Sequence, residues 1–394
     1  MATPASTGTA VLWGFVRSRM SFRGDIGVNG QKTYRAIGLM SGTSMDGIDA
    51  ALIESDGDGM VIRCGFLSMP YPDDFRARLQ SVMGNVGDVA GVAFELTERH
   101  AEAVSALLAA EGVASTEIDV IGFHGQTILH EPERRRTVQI GAPDVLARTT
   151  GRPVVFDLRL ADVAAGGEGA PLVPVYHRAL TRRLGSTVAV LNLGGVGNVT
   201  WIDGDESAGP EAMLAFDTGP ANALVDDFVR ARRGERFDAG GTLAAKGLVD
   251  EARLADLLSD PYFDRQPPKS LDRDHFARRA MEAVVGLSDE DGAALLTAFS
   301  AASVALAGRW FPHAASQWVA CGGGRHNATL MTMLAERLNA PIVAADDLGW
   351  NGDAVEAEAF AYLAIRSLQG KPLTFPGTTR APVPLSGGTL HRPD

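Results

Sequence analysis

The chain has 394 residues, 45% of them hydrophobic, enough for two or three domains with sizeable cores. Its 36 basic and 48 acidic residues give a net charge of −12, which excludes a broad nucleic-acid surface; short clusters such as Arg134-Arg135-Arg136 and Arg182-Arg183 read as solvated faces. Only two cysteines, Cys64 and Cys321, stand far apart, so neither a disulfide framework nor a zinc spacing can be built from them.

Residues 1–33 carry no secretory signal pattern, since nothing basic precedes the brief apolar run Ala10–Val16, and they are expected to form a poorly ordered extension. No apolar run is long enough to span a bilayer, so a cytoplasmic protein without a membrane partner is expected.

Ordered structure is predicted to begin with the apolar strand Ala36–Met40, a turn over residues 41–47, and a second strand Ile48–Ile53. The turn holds Gly42, Thr43, Ser44, Met45, Asp46 and Gly47, and Ile48 and Asp49 open the strand beyond it. Gly42 and Gly47 permit positive φ and close backbone approach, Thr43 and Ser44 bring hydroxyls, and loop N–H groups can cradle an anion. Asp46 and Asp49 would repel bare phosphate and so suggest Mg²⁺ or its waters. A plain solvated hairpin turn accounts for the same composition.

A third strand is expected over Val61–Leu67 and a helix from Tyr71. Val89–Glu111 shows apolar residues at helical spacing. The short strand Ile118–Phe123 runs into His124-Gly125-Gln126, where open α/β sheets place ligands; His124 and Gln126 are candidates, against a structural histidine. A strand at Pro153–Asp157 leads to Arg159, Asp162 and a loop containing Gly166, Gly167 and Gly169. Arg159 could grip a carboxylate or phosphate, or pair with Asp162 to fix the loop.

The strand–turn–strand unit then recurs. Thr187–Leu193 is followed by Gly194-Gly195-Val196-Gly197-Asn198 and by Val199–Ile202. Two such units, each followed by α/β segments, imply two similar domains facing one cleft, with the turns clamping one phosphate chain. A strand is expected to end at Asp217, Gly219 and Pro220 to form a turn, and Asn222 to open a helix. Asp217 is then placed either as a general base or as a helix cap. Phe237–Gly247 and Pro267–Phe276 read as polar surface segments, either of which could line the cleft; Lys269 and Ser270 are candidates there, against a plain exposed loop. A buried strand ends in Gly322-Gly323-Gly324, which allows flat approach of a nucleotide. Asp353–Leu368 is the last strong helix, bearing Glu356 and Glu358, and a coil-like tail follows Lys371.

Taken together, GLMSGTSMDGIDAAL, HGQTILHEP, VQIGAP, DVAAGGEGAPLVP, LNLGGVGNVT, FDTGPAN, CGGGRHN and NGDAVEAEAFAYLA resemble the 1,6-anhydro-N-acetylmuramic acid kinase family over Tyr34 to about Gly387. The resemblance implies an α/β fold of two duplicated actin/hexokinase-like (ribonuclease H-like) domains flanking one ATP/substrate cleft. The division expected is 34–185 and 186–394, with the last helix packing back toward the first domain.

It also implies a reaction with ATP, Mg²⁺ and water: hydrolytic opening of the 1,6-anhydro bond with phosphorylation of O6. The product is N-acetylmuramic acid 6-phosphate, in cell-wall recycling. Asp217 would be the catalytic base. Gly42 to Asp49, Gly194, Gly195, Asn198 and Gly322 to Gly324 would bind ATP. His124, Gln126, Arg159, Asp162, Gly219, Pro220, Asn222 and Glu356 would bind the sugar, and no metal ligands are assigned. A homodimer is a family expectation. The chain departs from the family's GGQGAPL at Glu168, where an added negative charge would matter if it faced the sugar's lactyl carboxylate.

Overall fold

The computed structural model describes residues 32–42 and 44–393; residues 1–31, Thr43 and Asp394 lie outside the described residues, as do the expectations placed on them. Strands β1 (Tyr34–Met40), β2 (Gly47–Ser55), β3 (Val61–Pro70) and β4 (Val120–Phe123) come first. A two-stranded ribbon, β5 (Gln126–Glu131) and β6 (Arg136–Ile140), and strand β7 (Val154–Phe156) follow. The second half supplies β8 (Val188–Leu193), β9 (Val196–Ile202), β10 (Met213–Pro220), β11 (Gln317–Cys321) and β12 (Ile342–Ala344), and the chain closes with β13 (Thr389–His391).

Two sheets carry the architecture. The first has the order β13-β7-β4-β1-β2-β3 and the second β10-β9-β8-β11-β12. Without β13 they repeat one pattern: a hairpin of antiparallel strands, a third antiparallel strand outside it, then two parallel strands on the other side. The fold is α/β and its sheet is duplicated, as the actin/hexokinase class requires. In both sheets the glycine-rich turns and the C-terminal ends of the parallel strands fall on one edge, where α/β sheets place ligands.

Helix Val355–Leu368 lies between the sheets and is buried on nearly every side. One apolar core joins Ala36, Ala51, Val120 and Val155 of the first sheet to Val188, Val190, Met213 and Val319 of the second through Phe360, Tyr362 and Leu363 of this helix. The helix rests directly on two glycines. A Cβ on Gly38 of β1 would lie 1.8 Å from Ala357 O, and one on Gly122 of β4 would lie 2.0 Å from Phe360 O. These glycines are paired across β1 and β4, and alanines at 357, 361 and 364 complete the close approach. Separate cores sit behind each sheet, one under helix Val89–Glu111 and others around helix Asp289–Ala307. Among the described residues one stretch, Asp289–Trp310, is long and apolar enough to cross a membrane, and 78% of its most apolar window is packed inside the protein.

Three expectations need correction. The tail after Lys371 is not coil: Pro376–Thr379 forms a helical turn, Thr374 bridges to Leu385, and β13 pairs antiparallel with β7. Its apolar residues Leu373, Phe375 and Leu390 belong to the central core, which is why it docks. Strand β10 does not end at Asp217. A bulge between Asp217 and Gly219 lets pairing continue to Pro220, and the Thr218 hydroxyl donates to Gly197 O at 3.1 Å. Finally, neither Gly42 nor Gly47 takes positive φ. That conformation falls to Met45 (φ 54), and Gly47 is needed for space, since its Cβ would sit 2.3 Å from Met69 O.

Candidate functional site

A cavity of about 200 Å³ opens between the two sheets. Met40, Arg159, Glu168 and residues 170–173 form its first wall; Asn198, Ala215, Asp217, Pro268, Lys269 and Ser270 form the second; Glu356, Phe360 and Thr378 close it from the C-terminal segment. Of the residues singled out in the sequence, Arg159, Glu168, Asn198, Asp217, Lys269, Ser270 and Glu356 meet here.

Asp217 stands at the β10 bulge. Its Oδ2 accepts from Leu271 N at 2.8 Å, its N donates to Lys269 O at 2.9 Å, and its O accepts from the Tyr262 hydroxyl at 2.6 Å. The carboxylate therefore caps no helix. Oδ1 takes no hydrogen bond among the described residues. Burial pushes the Asp217 carboxyl up to about 7; the Leu271 N–H works against this, Glu168 adds to it, and Lys269 opposes it. A carboxyl tuned to that range, with one oxygen held and one free, can take a proton at neutral pH.

Lys269 is not in an exposed loop. It is buried, its ammonium donating to the carbonyls of Tyr262 (2.9 Å) and Phe263 (3.3 Å) and lying 4.4 Å from the Tyr262 ring centroid. The same lysine's carbonyl holds the Asp217 amide, so the segment 262–271 is folded around the carboxylate it supports. Proline-rich composition concealed this: three carbonyl contacts are invisible in a sequence.

Arg159 projects from the first wall. Its Nη1 donates to Gly169 O at 2.7 Å, and its Nε and Nη2 donate to His124 Nε2 at 3.2 and 3.1 Å. No ion pair with Asp162 forms. Burial lowers the Arg159 pKa to about 10, against the pull of Glu356 and Asp162, so the group stays cationic. His124 accepts from that cation and is buried, which holds it well below the usual histidine range; its ring lies 4.7 Å from Phe360. Glu356 is open to the cavity; burial of its surroundings raises its carboxyl, Arg159 lowers it and Asp49 raises it further.

Other named residues stand one layer behind the cavity. Gln126 accepts from the Ser41 hydroxyl at 2.6 Å and donates to Gly42 O at 3.2 Å, fixing the start of the first turn. Asp162 accepts from Gly169 N (2.6 Å) and the Thr379 hydroxyl (2.7 Å), so it shapes the glycine loop. Asn222 donates to the carbonyls of Leu193 and Gly194, both at 2.9 Å, and ties down the second turn. Gly219, at φ 154, lets β10 pass Ser303, and Pro220 is the last residue of that strand.

Of the two turns and the triple glycine, Asn198 is the member that lines this cavity. Ser44 and Met45 lie in the first turn, Asp46 pairs with Arg76 at 3.3 Å, and Ile48 is buried behind it. Asp49 pairs across the hairpin with Met40. Burial raises its carboxyl to about 6, a Ser68 hydrogen bond opposes, and Asp353 and Asp46 add to the rise. Gly194 and Gly195 accept from the N–H groups of Asn222 and Ala221. A Cβ on Gly322 would lie 2.4 Å from Asn192 Oδ1 and one on Gly324 2.7 Å from Leu193 Cβ, whereas Gly323 borders open space.

Beyond them Arg325, its side chain only 2% exposed, reaches Asp346 at 2.6 Å and grips Asp353 at 2.6 and 3.0 Å. Arg325→Met is expected to lower the unfolding free energy by about 2 kcal/mol, because two charge-assisted contacts are lost from half-exposed partners; a thermal melt reads it.

These cradles could take a flat nucleotide group, with glycines at steric limits and open space at Gly323. For Mg²⁺, no three acidic, imidazole or thiol groups converge among the described residues. Asp49 could supply one oxygen ligand to such an ion.

The profile of the family described as Anhydro-N-acetylmuramic acid kinase matches residues 34–392. A protein of that name from Paramagnetospirillum magneticum is 53% identical over 358 residues, covering 91% of this chain and 99% of its own length. One from Rhodospirillum rubrum is 53% identical over 359 residues, 90% of this chain and 93% of its own. Among solved structures, an activator of 2-hydroxyisocaproyl-CoA dehydratase from Clostridium difficile aligns with TM-score 0.45 at 12% identity, over 85% of this chain and 97% of its own. With half its residues shared with such relatives along nearly the whole chain, this protein belongs to the anhydro-N-acetylmuramic acid kinase family.

Proposed function

We propose that the protein opens 1,6-anhydro-N-acetylmuramic acid with water and phosphorylates its O6 from ATP, giving N-acetylmuramic acid 6-phosphate and ADP in cell-wall recycling. The observation that carries this reading is the Asp217 carboxylate, one oxygen held and one free, on the wall of a cavity that Arg159, Asn198 and Glu356 also line. Water attacks C1, the C1–O6 bond breaks, O6 bonds to the γ-phosphorus, and the bond to ADP breaks. Asp217 takes the water's proton. Arg159 faces the sugar's carboxylate, and Glu356 faces its polar edge.

The turns at residues 42–49 and 194–198 hold the phosphates, with Gly322 to Gly324 beside the nucleoside. Bound Mg²⁺, near Asp49, would neutralise charge on the phosphates. The two halves, divided near residue 185, act as domains around this cleft. The reading carries a cytoplasmic enzyme that acts on a small sugar, and a homodimer that sedimentation would reveal.

The test is turnover with ATP, Mg²⁺ and the anhydro sugar, with the product weighed by mass spectrometry. A gain of one phosphate plus one water supports the proposal; phosphate alone would mean a simple sugar kinase, and no gain would overturn it. Since the base must be deprotonated, kcat/KM should rise with pH through an apparent pKa near 7. A profile flat from pH 5 to 8 would contradict Asp217 as that base.

A further inference from the structure

We propose that Arg380 is a positioning residue that pins the Glu168 carboxylate beside Asp217, so that the Glu168–Arg380 pair sets the charge that Asp217 faces during turnover. The inference rests on Asp217 being the base. Glu168 and Asp217 line the same cavity from opposite walls. The Arg380 guanidinium lies 3.3 Å from Glu168 Oε1, and the Glu168 backbone N–H donates to Thr379 O at 2.6 Å. Ser270, the residue after the carbonyl that holds the Asp217 amide, stands 3.5 Å from Glu168 Oε2.

The segment that delivers Arg380 is fixed to both halves. Thr379 is hydrogen-bonded to Asp162 in the first, and Gly377 lies so close to β10 in the second that its Cβ would sit 2.2 Å from Met213 O. Arg380 itself takes φ 59, the left-handed conformation, directly after that anchor.

The charged and titratable groups around Asp217 are few. Lys269 and the Tyr262 hydroxyl come from the segment wrapped around it, Arg159 and Glu356 face it across the cavity, and Glu168 looks in from the glycine loop. Around Glu168 stand Arg380, Ser270 and the ring of His130 near its backbone. Among the described residues Arg380 is the ion-pair partner of Glu168. A like charge raises the proton affinity of a carboxylate and a neutralising cation relieves that effect, so Arg380 acts on Asp217 through Glu168.

The experiment is the pH dependence of kcat/KM for the wild type and for E168Q, R380Q, R380K and E168Q/R380Q, with thermal melts to show that each is folded. E168Q should move the acid limb down by roughly half to one pH unit, and R380Q should move it up by a similar amount. R380K should restore the wild-type position, and the double variant should follow E168Q, because Arg380 has nothing to neutralise once Glu168 is uncharged. An unmoved limb in R380Q, or a double variant that follows R380Q, overturns the proposal. D217N separates the two readings. If it is inactive while R380Q is unmoved, only the Arg380 role fails; if it turns over like the wild type, the base assignment fails and this proposal with it.

Discussion

Asp217→Asn is expected to lower kcat by roughly 10²- to 10⁴-fold, the range that a positioned general base supplies. The substitution is nearly isosteric. An amide oxygen in the place of Oδ2 still accepts from Leu271 N, and the backbone bonds to Lys269 and Tyr262 do not involve the side chain. Removal of a carboxyl that burial disfavours as an anion should not weaken the fold. Binding of a nonhydrolysable ATP analogue, measured by calorimetry, should stay within about threefold, since Gly194, Gly195 and Gly322 to Gly324 do not line the cavity around Asp217. A loss of nucleotide affinity alongside kcat would mean that the variant had disturbed the cavity as a whole, and retained turnover would remove Asp217 from the chemistry.

Gly38→Ala should be the most damaging alanine substitution among the described glycines, at about 3 kcal/mol or more. A methyl there would lie 1.8 Å from Ala357 O and 2.4 Å from Ala361 N. Those are backbone atoms of a buried helix, so no side-chain rotation can relieve the clash and the whole helix must shift. That helix carries Glu356 into the cavity and Phe360 beneath His124, so residual soluble protein should also lose activity. Ala361→Gly in the same background makes little room, because the carbonyl of residue 357 remains in place. Soluble yield and melting temperature read the first effect, and specific activity of the folded fraction reads the second. A variant that melts like the wild type would show that the helix can slide.

Much of this was legible because the local chemistry was repeated. Two apolar strands with glycine turns, spaced a domain apart, announce a duplicated sheet, and Asp217 sits in a motif dense in turn formers. Arg159 and Glu356 were readable as charged residues at element ends. What could not be read was which polar residue faces a ligand and which faces another residue. His124, Gln126, Asp162 and Asn222 all have the right chemistry to touch a sugar, yet each is occupied by backbone or a neighbouring side chain. Burial at that level is a property of the tertiary fold. Lys269 was readable as a candidate for the cleft but not as a buried cation, because its ammonium is satisfied by carbonyls, which every sequence possesses. Arg380 was hidden in a segment whose proline, glycine and threonine content resembles a linker; the signal was the apolar pair Leu373 and Phe375 ahead of it.

The return of residues 355–391 to the first sheet has a consequence for synthesis. While the ribosome is extending the second half, β1 and β4 have been made but their inner face, with Gly38 and Gly122 at its centre, has nothing to cover it, and β7 waits for β13. An early-emerging half normally folds as a unit. Here it can reach its native state only after residues 355–391 leave the exit tunnel, so the nascent chain spends most of its translation time with an open apolar sheet. A chain stopped before residue 355 should therefore be held by chaperones or aggregate, and the two halves should not be separable by cutting the gene between them.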